Sequence, residues 1–362
     1  MSKKVRILSL DGGGMRGIIP ATVLEYLEKK LIEKSGNPNA RIADYFDMIV
    51  GTSTGGILGC FYLTPNPSNG NGKPSSKYSA SEAIKFYTEQ GKLIFNDSKK
   101  HSWFGARQIF NATRFTPDNL EKIFRKEFGE MKFNQLLKPC IVTTYDMYKQ
   151  SSFFFNSREE PAKNREFYLR DVVRSTSAAP TYFPPAVILN LKTGQRMVNI
   201  DGGVFANNPA MCAYSEARTT VFQQKPNPSA KDMLLLSIGT GGGRMEFPKD
   251  IFSSGSWGAI NWATTAPDIM MDGSVDTVSY HLSRMFSTLE GTDKMNYLRV
   301  DVPENKRNYN SDMSDASPLN VAALQNAGKE ALKSAIESGN GRHTLDEFAE
   351  LLIQNQPDAI LS

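Results

Sequence analysis

The segment Val5-Arg6-Ile7-Leu8-Ser9-Leu10-Asp11-Gly12-Gly13-Gly14-Met15-Arg16-Gly17 decides the reading of this chain. Val5–Leu10 is short and largely apolar and glycines follow at once, the pattern of a strand buried on both faces. Residues 17–34 then place Ile18, Val23, Leu24, Leu27 and Leu31 at helical spacing among Glu and Lys. Residues 46–50 form a second apolar strand, 51–56 a turn, and 57–63 an apolar helix. Strand, helix, strand, helix predicts an α/β fold in which a central, mostly parallel sheet is flanked by helices.

Working outward, residues 64–79 are rich in Pro, Asn, Gly and Ser and read as a long loop. Residues 81–95 are helical, and the stretch after them carries Trp103, Phe104, Ile109 and Phe110 without clear period. Residues 65–114 are therefore expected to be a lid inserted over the sheet. Further strands fall at 140–145, 152–155, 197–200, 233–238 and 297–302, with helices at 169–178, 210–222, 318–337 and 345–354. Residues 257–289 look mixed and helical in part. No linker divides the chain, so 1–245 is read as the core and 246–362 as a mostly helical completion of the same domain.

The 362 residues are 40% hydrophobic and 22% charged, an ordinary globular balance. A net charge of +4 is too small to argue for nucleic acid, although it permits contact with an anionic membrane surface. Cys60, Cys140 and Cys212 are scattered without a CxxC, which suits a reducing compartment. No signal-peptide core, lipidation motif or membrane-length apolar run is visible, so a cytoplasmic location is expected. No metal-ligand spacing stands out and no cofactor is expected.

Three constellations carry chemistry. In Asp11–Gly17, consecutive glycines leave backbone N–H groups uncovered at the start of a helix, a nest that suits a bound phosphate or a transient oxyanion. Gly12, Gly14 and Gly17 also satisfy G-x-G-x-x-G, so a nucleotide-binding protein is the alternative reading. That motif expects an acid ending the second strand, whereas Ile49-Val50-Gly51-Thr52 stands there. The second constellation, Gly51-Thr52-Ser53-Thr54-Gly55, has the form G-x-S-x-G between a strand and a helix, the turn that lifts a serine hydroxyl above a sheet. A serine nucleophile needs a base, and His101, His281 and His343 are available without a telling neighbourhood. The third is Asp201-Gly202-Gly203, at the end of a strand and ahead of Asn207-Asn208-Pro209. It is expected at the same edge of a parallel sheet as Ser53, where sites of open α/β sheets collect, unless it is only a turn.

In order and content these three motifs resemble the patatin-like phospholipases. Ser177-Ala178-Ala179-Pro180, Tyr182-Phe183-Pro184 and Ser237-Ile238-Gly239-Thr240-Gly241 extend the resemblance over residues 5–241, roughly two thirds of the chain. The resemblance implies a three-layer fold and a lipid acyl hydrolase of the phospholipase A or lysophospholipase type. It also implies a Ser–Asp dyad without histidine: Ser53 attacks, Asp201 takes the proton, and the N–H groups of Gly12, Gly13 and Gly14 hold the oxyanion. Arg16 is expected to position that loop or to meet a lipid phosphate, and Asp11 to be structural. A carboxylate with pKa near ~4 is a weak base and must work in a water-poor site against the serine. Tyr182–Pro185 and the lid aromatics are candidates for an acyl channel. The implied partner is membrane phospholipid or another lipid, met at the membrane surface. Some bacterial enzymes of this family are antiviral effectors switched on by cyclic dinucleotides, and residues 247–362 are compatible with such gating.

Overall fold

The computed structural model describes residues 3–67, 74–95, 113–222, 226–242, 258–337 and 343–356. The strands are β1 (Val5–Leu10), β2 (Met48–Thr52), β3 (Cys140–Asp146), β4 (Ser151–Asn156), β5 (Ala186–Leu189), β6 (Arg196–Asp201), β7 (Met233–Ile238) and β8 (Tyr297–Val300). They form one sheet in the order β5-β6-β3-β2-β1-β7-β8, with β4 on β3. The five strands β1, β2, β3, β7 and β8 pair parallel, whereas β3 pairs antiparallel with β4 and β6, and β5 antiparallel with β6.

Alternation along the strands explains the layers. In β1, Leu8 and Leu10 join the larger apolar core, while Val5 and Ile7 join a second core on the opposite face. Because both faces are covered, apolar residues stand on both, and the buried Arg6 among them is paired with Asp47. The larger core takes in α1 (Ile18–Ser35), α2 (Thr54–Leu63), α3 (Ala80–Ile94), α4 (Asp118–Phe128) and α5 (Leu169–Thr176). The smaller takes in α6 (Ala210–Thr219) and the C-terminal half of α7 (Ala259–Ser287), through Ala213, Ala217, Leu282 and Phe286.

The C-terminal part enters the same body. β8 extends the sheet, α8 (Pro318–Glu337) packs along α1, and α9 (Leu345–Gln354) inserts Leu345, Phe348 and Leu352 into the larger core. Of the stretch read as a lid, α3 packs on α1, and its Ala83, Phe86 and Tyr87 are buried in the larger core. Trp103, Phe104, Phe110 and His101 lie outside the described residues. Residues 257–289, expected to be mixed, contain the continuous 29-residue α7. Pro267 and Gly273 interrupt its helical pattern in the sequence, yet the helix continues through both.

Candidate active site

β3 brings Ser53 and Asp201 together. One edge of β3 is taken along its length by β4, from Ile141↔Asn156 to Asp146↔Ser151. The other edge is shared: β2 occupies Cys140–Thr143 up to Thr52↔Thr143, and β6 takes over at Thr144↔Asp201. The two strands run in opposite directions and end against each other. Asp201 therefore reaches the Ser53 edge as expected, but on an antiparallel strand arriving from beyond that edge. The Thr52 hydroxyl seals the junction, donating to the Ala206 carbonyl at 2.6 Å and lying 2.7 Å from Thr143 Oγ1.

Ser53 sits between β2 and α2 with φ 52° and ψ −122°, a backbone conformation that side chains rarely adopt. The turn is held by the Ser53 N–H, which donates to Thr176 Oγ1 at 2.8 Å. It also needs a bare backbone at Gly55, where a Cβ would run into the Leu10 carbonyl.

Asp201 is buried. Its N–H donates to the Ala178 carbonyl at 3.0 Å, and its Oδ1 accepts from the Gly203 N–H at 2.8 Å. Burial pushes its carboxyl up to about 7, opposed by the Ser53 hydroxyl and the Gly203 N–H. The carboxyl therefore lies above the ~4 of an ordinary aspartate.

The glycine loop is clamped on all sides. Asp11 is buried in a two-pronged pair with Arg299 of β8, at 3.0 and 2.6 Å, and Arg299 also reaches Ser237 Oγ and Asp301. Burial pushes the Asp11 carboxyl up to about 6, against the Arg299 guanidinium, which pulls it down and keeps it ionised at neutral pH. Gly12 must be removed from the expected oxyanion donors, because its N–H already donates to the Asn207 carbonyl at 3.0 Å. Among the described residues no acceptor engages the N–H groups of Gly13 and Gly14. Gly14 has φ 58°, which turns the chain into a short 3-10 segment ahead of α1. Arg16 is buried, its Nε donating to the Gly13 carbonyl at 3.4 Å, and it faces the acids Asp268 and Asp272 of α7.

Two cavities meet at Ser53. The outer, about 340 Å³, is lined by Gly13, Asp201, Tyr182, Met270, Met271 and Met313 among others. The inner, about 50 Å³, is narrow and almost wholly apolar and runs between Ile57, Phe86, Ile94, Phe95, Leu120 and Phe183. A serine hydroxyl and a buried carboxylate at the junction of two largely apolar cavities suit an ester with apolar substituents.

A patatin-like phospholipase family model matches residues 8–214. Patatin-17 from Solanum cardiophyllum is 35% identical over 97% of this chain and 90% of its own. The chain belongs to the patatin-like phospholipase family. Patatin-like protein 4 from Arabidopsis thaliana is 34% identical over 92% of this chain and 84% of its own. The similar relatives also include a probable inactive patatin-3-Kuras 1 from Solanum tuberosum, 33% identical over 97% of this chain and 93% of its own.

Outside the three patatin motifs, His281 is exposed on α7 and His343 sits by Glu347; neither lines the two cavities. Thr176, Asn207, Thr240 and Arg299 were not read from the sequence as parts of the site. Arg299 left a signal: a lone guanidinium in the apolar run Tyr297–Val300 requires a buried acid. Among the described residues there is no group of three or more metal-ligating side chains, and no helix long and apolar enough to cross a membrane.

Proposed function

We propose that the chain hydrolyses fatty-acyl esters of glycerolipids, of the phospholipase A or lysophospholipase type, at a membrane surface. Membership of the patatin-like phospholipases supports lipid acyl hydrolysis. The observation that carries the finer reading is the buried Asp201 carboxylate, raised to about 7, facing a strained serine at the meeting point of two apolar cavities.

In this reading the Ser53 oxygen attacks the ester carbonyl carbon while its proton passes to Asp201. The carbonyl oxygen becomes an oxyanion held by the N–H groups of Gly13 and Gly14. Collapse breaks the bond to the leaving alcohol, which takes the proton from Asp201 and leaves an acyl-Ser53 ester. Water then gives a proton to Asp201 and attacks the ester. The fatty acid leaves and the proton returns to Ser53.

Fatty-acid release from phospholipid micelles by wild type, Ser53→Ala and Asp201→Asn tests this. Each variant is expected to lose roughly two or more orders of magnitude in kcat. Variants that match wild type overturn the dyad. Tight nucleotide binding unaffected by Ser53→Ala, with no hydrolysis, would restore the nucleotide-binding reading. Cyclic dinucleotides added to the same assay test gating.

A further inference from the structure

We infer that Thr240 is a positioning residue for the oxyanion donor, its hydroxyl turning the Gly13 N–H into the cleft. Thr240 is buried in the loop after β7, and its Oγ1 donates to the Gly12 carbonyl at 2.6 Å. That carbonyl and the Gly13 N–H are two ends of one planar peptide unit, and in a trans peptide they point in opposite directions. No peptide bond in the described structure is cis. Fixing the carbonyl on Thr240 therefore fixes the N–H on the far side, where Gly13 lines the outer cavity together with Ser53 and Asp201.

Contact with Gly13 itself points the same way. A Cβ at Gly13 would stand 2.5 Å from Thr240 Oγ1 and 2.8 Å from Thr240 Cβ, so threonine and glycine are fitted to each other. The loop carrying Thr240 is itself anchored. The Gly239 N–H donates to the Val300 carbonyl at 2.8 Å, and the Gly241 N–H to Asp301 Oδ1 at 2.8 Å. Asp301 in turn accepts from Arg299, which holds Asp11. One continuous set of contacts thus grips the glycine loop by its first side chain and its next carbonyl. A donor held in place before substrate arrives costs nothing to reorganise during the reaction.

The assignment rests on the acyl-hydrolase reading, and its test separates the two. Thr240→Val removes the hydroxyl at nearly constant shape; Thr240→Ser keeps it. Each is assayed for kcat and KM on phospholipid micelles, for the rate of inactivation by an alkyl fluorophosphonate, for binding of a non-hydrolysable ether lipid, and for Tm. For Thr240→Val the expected result is a kcat and an inactivation rate lowered roughly 10- to 100-fold, below the loss of a direct oxyanion donor. KM and ether-lipid binding stay at wild-type values, and Thr240→Ser restores both rates. Should Thr240→Val lose its cooperative thermal transition, Thr240→Cys, with a poor donor of similar size, takes its place in the same comparison. Wild-type kcat in Thr240→Val, a change confined to KM, or an equal deficit in Thr240→Ser overturns the positioning role and leaves the hydrolase reading intact. A wild type that neither hydrolyses lipid nor is labelled at Ser53 overturns both.

Discussion

In the proposed role Asp201 would meet two opposed demands, since the burial that would make it a useful base also makes it an expensive residue to fold around. As a base it must be deprotonated, so kcat/KM is expected to rise with pH along a limb centred near 7, the value to which burial raises the carboxyl. A pH–rate profile centred near ~4, the ordinary aspartate value, would remove Asp201 from the role. For stability the sign is reversed. A folded pKa above the ordinary 3.8 means the folded state favours the protonated form, so stability is lost as pH rises from about 4 and the full cost stands above about 7. Three units correspond to about 4 kcal/mol. Asp201→Asn keeps an oxygen for the Gly203 N–H and sheds the charge. It is expected to melt above wild type at pH 8 and level with it near pH 4, by thermal denaturation at the two pH values. No gain at pH 8 would mean the carboxylate is better solvated than its burial suggests.

The elements divide the work between holding the reacting groups and shaping the acyl space. α2 carries Ile57 on the wall of the inner cavity, one turn beyond the serine. Ile57→Phe is expected to shorten that cavity, cutting kcat/KM on long-chain esters about 10-fold or more while short-chain p-nitrophenyl esters hold within about 3-fold. Equal losses on both would place the acyl chain elsewhere. The parallel strands, α1 and the turn around Ser53 were legible in the sequence, because strands buried on both faces and a helix with one apolar stripe leave strong patterns. The direction of β6 was not, since Arg196–Asp201 alternates identically whether it pairs parallel or antiparallel, and only the partner strand decides. α7 was half-hidden because Pro267 and Gly273 speak against a helix that nonetheless runs through both.

At the level of the whole molecule, the family match ends at residue 214, yet Thr240, Arg299 and Asp301 grip the glycine loop from beyond it. A chain ended after residue 245 would leave Asp11 buried without Arg299 and the β7 edge without β8. It is expected to show no cooperative thermal transition, and a soluble, cooperatively melting fragment would contradict this. Ser53, Asp201 and the glycine loop were legible as contiguous motifs. The residues that hold them were not, because a contact between positions 11 and 299 leaves no local period to read. The shared edge of β3 has a consequence of another kind. The distance between Ser53 and Asp201 is written in a third strand that contributes neither, at the bond between Thr143 and Thr144. One residue inserted there would drive the two tips apart by about 3.4 Å with every motif letter unchanged. Descendants of such a chain could lose the chemistry by a change of spelling in β3 alone, and an inventory of catalytic residues would still count them as enzymes.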